Sequence, residues 1–282
     1  MGKLPFPGPY FSSAIFATVA ALRLGATDLL ASLADGSARG TVALEELGHG
    51  DPVERVRASA DGDVLSGLKP AVLDGHAADW AIVAARTDEG LGSFLLEQPG
   101  GELVPSLDVT RKVARLDLAG RRARPVGPPG DHSTIWRRIA DDAAVALCAE
   151  TVGVCERALQ LGVDYAKQRV QFGRPLASFQ VIKHKAVDML HATELARVGT
   201  HYAAWTSDAD DPQRETAAAM AKGYLGEAAV FVTAEDIQIH GGVGFTWDAD
   251  PHLFYRRAKA NDVVLGQQAW QRQRLADLIL SR

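Results

Sequence analysis

Tyr165-Ala-Lys-Gln-Arg-Val-Gln-Phe-Gly-Arg-Pro-Leu-Ala-Ser-Phe-Gln-Val-Ile-Lys-His-Lys185 is the stretch on which the fold of this chain turns. A Phe172-Gly173-Arg174-Pro175 turn separates two helical patterns and sets Arg169 and Gln180 on its two sides. Upstream, Val145, Cys148, Val152, Cys155 and Leu159 recur at steps of three and four, and downstream Ile182, Ala186, Met189, Thr193 and Ala196 do the same. Such spacing puts an apolar stripe on one face of an α-helix. Two further helices are predicted from Gln213 to about Gln238 and from Gln267 to Leu280. Four striped helices joined by short turns predict an antiparallel four-helix bundle over residues 129–282.

Outward from this segment the texture changes. Residues 41–128 carry short β-prone runs, Ala81-Ile-Val-Ala-Ala85 and Ser93-Phe-Leu-Leu96 among them, punctuated by Asp61-Gly62, Asp74-Gly75, Glu89-Gly90 and Gly100-Gly101. These read as a small middle β-domain. Pro125, Gly127, Pro128, Pro129 and Gly130 mark its boundary with the bundle. Residues 1–40 hold an Ala- and Leu-rich run from about 11 to 35, closed at Asp35-Gly36, which reads as one or two helices with a glycine stop. The fold class expected is therefore α+β and multidomain.

Composition narrows the functional classes. The chain has 282 residues and a formal net charge of -5, which argues against a nucleic-acid partner, because such binders carry a basic surplus. The Arg121-Arg122-Ala123-Arg124 cluster is too short to reverse that and reads as a solvated loop. Cys148 and Cys155, seven residues apart on one helical face, read as buried apolar residues rather than a disulfide or metal pair. His184 and His191 have no third ligand nearby in sequence and read as surface or cap residues, so no metal is expected. Pro5, Pro7 and Pro9 break any signal-peptide layout, and the apolar run Ala14–Leu24 contains Arg23 and is shorter than a bilayer span. A cytoplasmic protein without a membrane segment is the expectation. Neither a Gly-x-Gly-x-x-Gly after a strand nor a P-loop occurs.

Two motifs carry chemistry. In the first, Arg169 can offer a bidentate fork to phosphate, with Phe172 and Gln180 as flat apolar and amide contacts. The bland reading of the same residues is an interhelical turn in which Phe172 packs and Arg169 caps carbonyls. The second is Gln238-Ile-His-Gly-Gly-Val-Gly-Phe245, followed by Thr246-Trp247-Asp248 and Tyr255-Arg256-Arg257-Ala258. Its paired glycines allow positive φ and close backbone approach, as a helix C-cap or as a phosphate contact.

Arg-x-x-Phe-Gly followed by a Gln, and Gln-x-x-Gly-Gly-x-Gly-Phe further on, resemble the two cofactor motifs of the flavin-dependent acyl-CoA dehydrogenase family. The order helix, β-domain, helical bundle is also similar to that family over nearly the whole chain, although only the last part of the usual N-terminal helical domain is expected here. The resemblance implies FAD as cofactor, bound across a subunit interface, with Arg169, Phe172, Gln180, Gln238, Gly241 and Gly242 on its adenine and pyrophosphate side. It further implies an acyl-CoA substrate and electron-transfer flavoprotein as redox partner.

Other positions depart from the family pattern. Where the family has Leu-Thr-Glu-Pro-x-x-Gly-Ser-Asp against the flavin ring, this chain has Leu44-Glu45-Glu46-Leu47-Gly48-His49-Gly50-Asp51, with Glu45 at the place of the hydrogen-bonding Thr. Ala71-Val72-Leu73 stands for a Trp-Ile-Thr segment, so the hydroxyl is lost at Leu73. The family's catalytic Glu falls at Leu265, and the alternative position used by a subset falls at Ala143. Asp142 is one residue away, a rotation of about 100° on a helix, and reads as a solvated or first-turn acid. Loss of a general base costs ~10²–10⁴ in rate. The combination resembles the non-catalytic subunit of actinobacterial heteromeric α2β2 acyl-CoA dehydrogenases, which implies a catalytic acyl-CoA dehydrogenase subunit as partner and a bulky or steroid-derived thioester as substrate. Two alternatives stay open at this stage: a self-sufficient homomeric dehydrogenase using Asp142 or another base, and a flavin-free assembly scaffold.

Overall fold

The computed structural model describes residues 1–46 and 48–280, which divide into two compact units. The first comprises Pro7–Ser106 and Arg111–Ala143, and the second comprises Met1–Phe6, Leu107–Thr110 and Ala144–Arg282. The mixed α+β class expected from sequence holds.

The first unit is built on the strand Trp80–Thr87. It pairs antiparallel with Gly90–Glu97 through the full register Trp80↔Glu97 to Thr87↔Gly90, and parallel with Gly40–Ala43 and Ser59–Asp61. Val64–Ser66, Arg121–Arg122 and Arg124–Pro125 complete the sheet, and a second sheet holds Leu68–Leu73, Val113–Asp117 and Glu102–Val104. Strand alternation explains the apolar run 81–85. Ala81, Val83 and Ala85 share a core with Val72, Leu116 and Leu118, while Ile82 and Ala84 on the opposite face are also fully buried. The turn signals read from sequence fall where the backbone requires them, with Gly62 at φ 58 and Gly100 at φ 59.

Among the described residues seven α-helices form: α1 Thr18–Arg23, α2 Leu30–Ala34, α3 Ser133–Gln168, α4 Gln180–Asp208, α5 Arg214–His240, α6 Pro251–Val263 and α7 Gln268–Leu280. The N-terminal helical run is more broken than expected. It begins as a π-helix over Tyr10–Ala17 and is stopped at Gly25 (φ 70) as well as at Gly36 (φ 76). Helix α6 was not anticipated as a separate element, although Asp250-Pro251 is a legible start signal, since proline at the first helical position forfeits no hydrogen bond. The Arg121–Arg124 cluster is also not a loop. It forms two strand ends, with Arg122 paired to Asp63 at 2.6 Å and Arg124 to Asp28 at 3.0 Å.

The core of the helical unit follows the predicted stripes. Val145, Cys148, Val152, Cys155, Met189 and Ala196 are buried together with the alanines of α5. Small residues let the helices approach closely: a Cβ at Gly226 would lie 2.3 Å from Asp262 Oδ1. Arg257 on α6 ties distant segments of this unit together. Its guanidinium bonds Asp108, Glu150 (2.8 Å), Thr110 Oγ1 (2.7 Å) and the carbonyl of Phe6 (3.1 Å). No helix among the described residues is long and apolar enough to cross a membrane.

Candidate functional site

The first motif folds as a miniature hairpin. Helix α3 ends when the N–H of Arg169 donates to Tyr165 O (2.8 Å), and the chain then pairs Val170 with Pro175 and Gln171 with Arg174. Phe172 and Gly173 occupy the two central positions with φ of 51° and 76°. Positive φ at both is the type I′ arrangement, which suits a two-residue hairpin but strains a bulky residue by ~1–2 kcal/mol. Phe172 is nonetheless 91% exposed, with its ring edge-on to Phe179 at 6.1 Å. The bland reading fails on these facts. Phe172 does not pack into the core, and the Arg169 guanidinium makes no hydrogen bond or ion pair among the described residues. Gln180 opens α4, exposed, and its Nε2 is 3.0 Å from a ring nitrogen of His184.

The second motif terminates α5. Gln238 lies exposed in the last turn, and Gly241 takes φ 65°, ψ −145°, a conformation open to glycine. Gly244 is also needed internally, because a Cβ there would meet Ile237 O at 2.9 Å. Gly242 differs: it is exposed, has no positive φ, and an added Cβ would meet nothing within 4 Å. Among the described residues nothing calls for glycine there. The two motifs are joined at their roots. Tyr165, whose carbonyl holds the Arg169 turn, stacks on His240 beside Gly241 with ring centroids 4.3 Å apart. Sequence reasoning missed this link, because Tyr165 and His240 read only as members of separate motifs.

The two segments of the β-rich unit that depart from the family pattern are also held firmly. Glu46 accepts the N–H groups of Arg57 (2.8 Å) and Ala58 (3.0 Å) and pairs with Lys69 Nζ at 2.7 Å. Lys69 is fully buried and also donates to Leu44 O. Burial pushes Lys69 down to about 8 against the hydrogen bond and charge of Glu46, and the charge of Arg86 lowers it further. Burial opposes ionisation of Glu46, but its two backbone donors and Lys69 outweigh that and hold it below the ordinary carboxylate value. Glu45 stands 4.0 Å from Arg55, so a cation accompanies the carboxylate. Leu47, in the same segment, lies outside the described residues. Leu73 is buried, and its carbonyl accepts a 2.6 Å hydrogen bond from Thr41 Oγ1.

Neither candidate base position offers an acid. Ala143 is fully buried. Leu265 is 1% exposed with φ 59°, a second bulky residue in the left-handed region, and Gln271 Nε2 donates to its carbonyl. Asp142 is not the solvated acid expected from sequence. Its carboxylate is clamped by Arg138 (3.0 Å) and Arg23 (2.8 Å), two cations whose hydrogen bonds occupy its lone pairs. Among the described residues no group of three or more His, Cys, Asp or Glu is placed to hold a metal ion.

Comparison with known proteins bears on this arrangement. Residues 133–280 match the family model described as acyl-CoA dehydrogenase, C-terminal domain. The acyl-CoA dehydrogenase IpdE2 of Mycolicibacterium smegmatis is 32% identical over 279 residues, covering 98% of this chain and 75% of the relative. Among solved structures, the ChsE4-ChsE5 complex from Mycobacterium tuberculosis is 30% identical with a TM-score of 0.87, covering 100% of this chain and 78% of that one. A Tcur3481-Tcur3483 steroid ACAD variant is 32% identical with a TM-score of 0.85, covering 99% and 78%.

Proposed function

Because the chain belongs to the acyl-CoA dehydrogenase family, we propose that it serves as a subunit of a heteromeric enzyme, contributing the adenine-side half of an interfacial FAD site and no catalytic base. The observation that carries this reading is Phe172, an apolar ring held in a strained turn and left almost wholly exposed. A strained aromatic left this exposed gains only its edge contact with Phe179 inside the chain and is explained by a surface that meets it from outside. Gly242 adds the same argument for close approach, since its missing Cβ serves no internal contact. The donor set fits FAD. Arg169 would take a phosphate oxygen, Gln180 and Gln238 would bond polar edges of the adenine end, and Gly241 and Gly242 would let the main chain lie against the pyrophosphate.

Bound FAD supplies the hydride acceptor for α,β-desaturation of the thioester. What this chain provides is orientation, since the Tyr165–His240 stack fixes the two turns against each other. It does not provide a proton acceptor at Leu265 or Ala143, and the double clamp on Asp142 disfavours the self-sufficient alternative. The general base therefore belongs to a partner dehydrogenase. Helix α4 offers that partner an exposed apolar row of Val187, Leu190, Leu195, Val198, Tyr202 and Trp205. The similar ChsE4-ChsE5 complex and steroid ACAD support a heteromer acting on a bulky, steroid-derived acyl-CoA. Electron-transfer flavoprotein is the acceptor in this reading. Four of the C-terminal helices, α3, α4, α5 and α7, would form the antiparallel bundle of this half-site.

Co-expression with full-length dehydrogenases and flavin counting test the proposal. A mixed complex with half as many flavins as chains is expected, and Arg169→Ala in this chain alone should lower that content. One flavin per chain in the lone protein, reduced by an acyl-CoA, would overturn it.

A further inference from the structure

Behind the two turns lies a buried acid–base pair. Asp236 on α5 is fully shielded, and α3 crosses it so closely that a Cβ on Gly162 would meet its Oδ1 at 3.1 Å. One helical turn later, His240 places Nδ1 3.0 Å from that oxygen and 2.9 Å from the Asp236 main-chain carbonyl. A single N–H serves the carbonyl squarely, so neither carboxylate oxygen receives a well-aligned hydrogen bond and the contact with Oδ1 is ionic. A buried carboxylate in that state is tolerated beside a cation and is costly beside a neutral ring.

The other charges around the pair leave that role to His240. From α3, Arg157 lends positive charge to Asp236, Tyr165 stacks on the imidazole, and Asp164 is taken up by Gln160. From α4, Lys185 is spent on Glu235 of α5. Burial works against the imidazolium, but the close carboxylate, the hydrogen bond to the Asp236 carbonyl and the charge of Asp236 outweigh it and raise His240 above the ordinary histidine value. Burial also raises the Asp236 carboxyl, and His240 and Arg157 offset only part of that.

The position of the pair gives it a use. The C-terminal end of a helix carries about half a negative charge, which repels an anion at the turn that follows. The turn following α5 is Gly241-Gly242, and His240 is the basic residue of the last helical turn. We propose that His240, held as an imidazolium by Asp236 and stacked on Tyr165, is a positioning residue for the pyrophosphate of an anionic dinucleotide. It neutralises the end of α5 and locks the Gly241-Gly242 turn to the Arg169 turn. Dinucleotide binding should then be tighter when His240 is protonated than when it is neutral. This inference rests on the half-site reading given above.

Equilibrium dialysis of the flavin-stripped mixed complex against FAD at about pH 6 and about pH 9, at fixed ionic strength, with the variants below made in this chain alone, tests it. FAD is a pyrophosphate diester and keeps its charge over this range. Affinity is expected to fall roughly five- to tenfold from the lower to the higher pH, the effect of removing one nearby charge in a partly exposed site. Asp236→Asn/His240→Gln, which removes both charges together and spares the fold an orphaned carboxylate, should bind more weakly at the lower pH and show no slope. Circular dichroism on the same samples verifies folding. Adenosine, which lacks the pyrophosphate, should show no slope in either protein. Equal FAD affinity of the wild type at both pH values, or an unchanged slope in the double variant, would overturn the role of His240 while leaving the half-site reading intact. FAD retained by neither mixed complex at either pH would remove the half-site reading and this inference with it.

Discussion

Arg257 offers a sharp test of what holds the helical unit together. It is 3% exposed, and its fork reaches Asp108, which is fully buried, and Glu150, whose side chain is 9% exposed, besides Thr110 and the carbonyl of Phe6. Replacing it by Met keeps the aliphatic bulk and takes the shared cation away from both carboxylates. Summing charge-assisted hydrogen bonds at about 1.5–3 kcal/mol each would overshoot, because water and protonation relieve part of the loss. Broken buried ion pairs cost about 3–5 kcal/mol, and for a chain of this size that corresponds to a fall of roughly 5–8 °C in Tm. Urea unfolding of Arg257→Met at neutral pH, with an unchanged m-value, is the assay. If the cost is uncompensated charge, Arg257→Met/Asp108→Asn/Glu150→Gln should recover most of it. A single-variant loss below about 1 kcal/mol, or a triple variant no better than the single, would refute this account of the network.

Three other outcomes are expected. Gly242→Ala should leave stability within about 0.5 kcal/mol by urea unfolding, because the added methyl meets open space, yet lower flavin retention in a mixed complex; Gly226→Ala, which must displace Asp262 Oδ1 and meets Gln268 Cβ at 2.9 Å, should cost about 1–3 kcal/mol. Lys69 is depressed to about 8 from 10.5, so between those values the unfolded chain binds more protons than the folded one. Stability relative to Lys69→Met should therefore rise with pH across that window by up to about 3 kcal/mol, and a flat difference between pH 7 and pH 10.5 would refute the shift. Burial pushes both Cys148 and Cys155 up to about 12, so a thiol reagent at pH 8 should modify neither in the native protein and both after unfolding, as mass spectrometry would show.

What was legible in the sequence was what neighbours along the chain decide. The stripes through Val145–Leu159 and Ile182–Ala196 follow from helical period, and the strand pair Trp80–Thr87 and Gly90–Glu97 follows from a β-prone run and a glycine turn. The two candidate cofactor turns were legible for the same reason, being punctuated by Gly173 and by Gly241-Gly242. Illegible were partnerships set by packing of distant segments. Asp142 finds Arg23, 119 residues away, and Arg257 finds Asp108, 149 residues away, so no local pattern distinguishes either from a solvated charge. Asp236 and His240 are only four apart, yet α3 passing over them is what turns an ordinary helix-surface pair into a buried one.

Neither compact unit is a continuous length of chain, and this has a consequence for biogenesis. Met1–Phe6 belongs to the unit whose remaining bulk begins at Ala144. Gly2 packs so closely on α3 that its Cβ would overlap Glu150 O, and the Phe6 carbonyl waits for Arg257. During synthesis, therefore, Met1–Phe6 finds its partners only after α3 has been made, later than the whole β-rich stretch that lies between them in the chain.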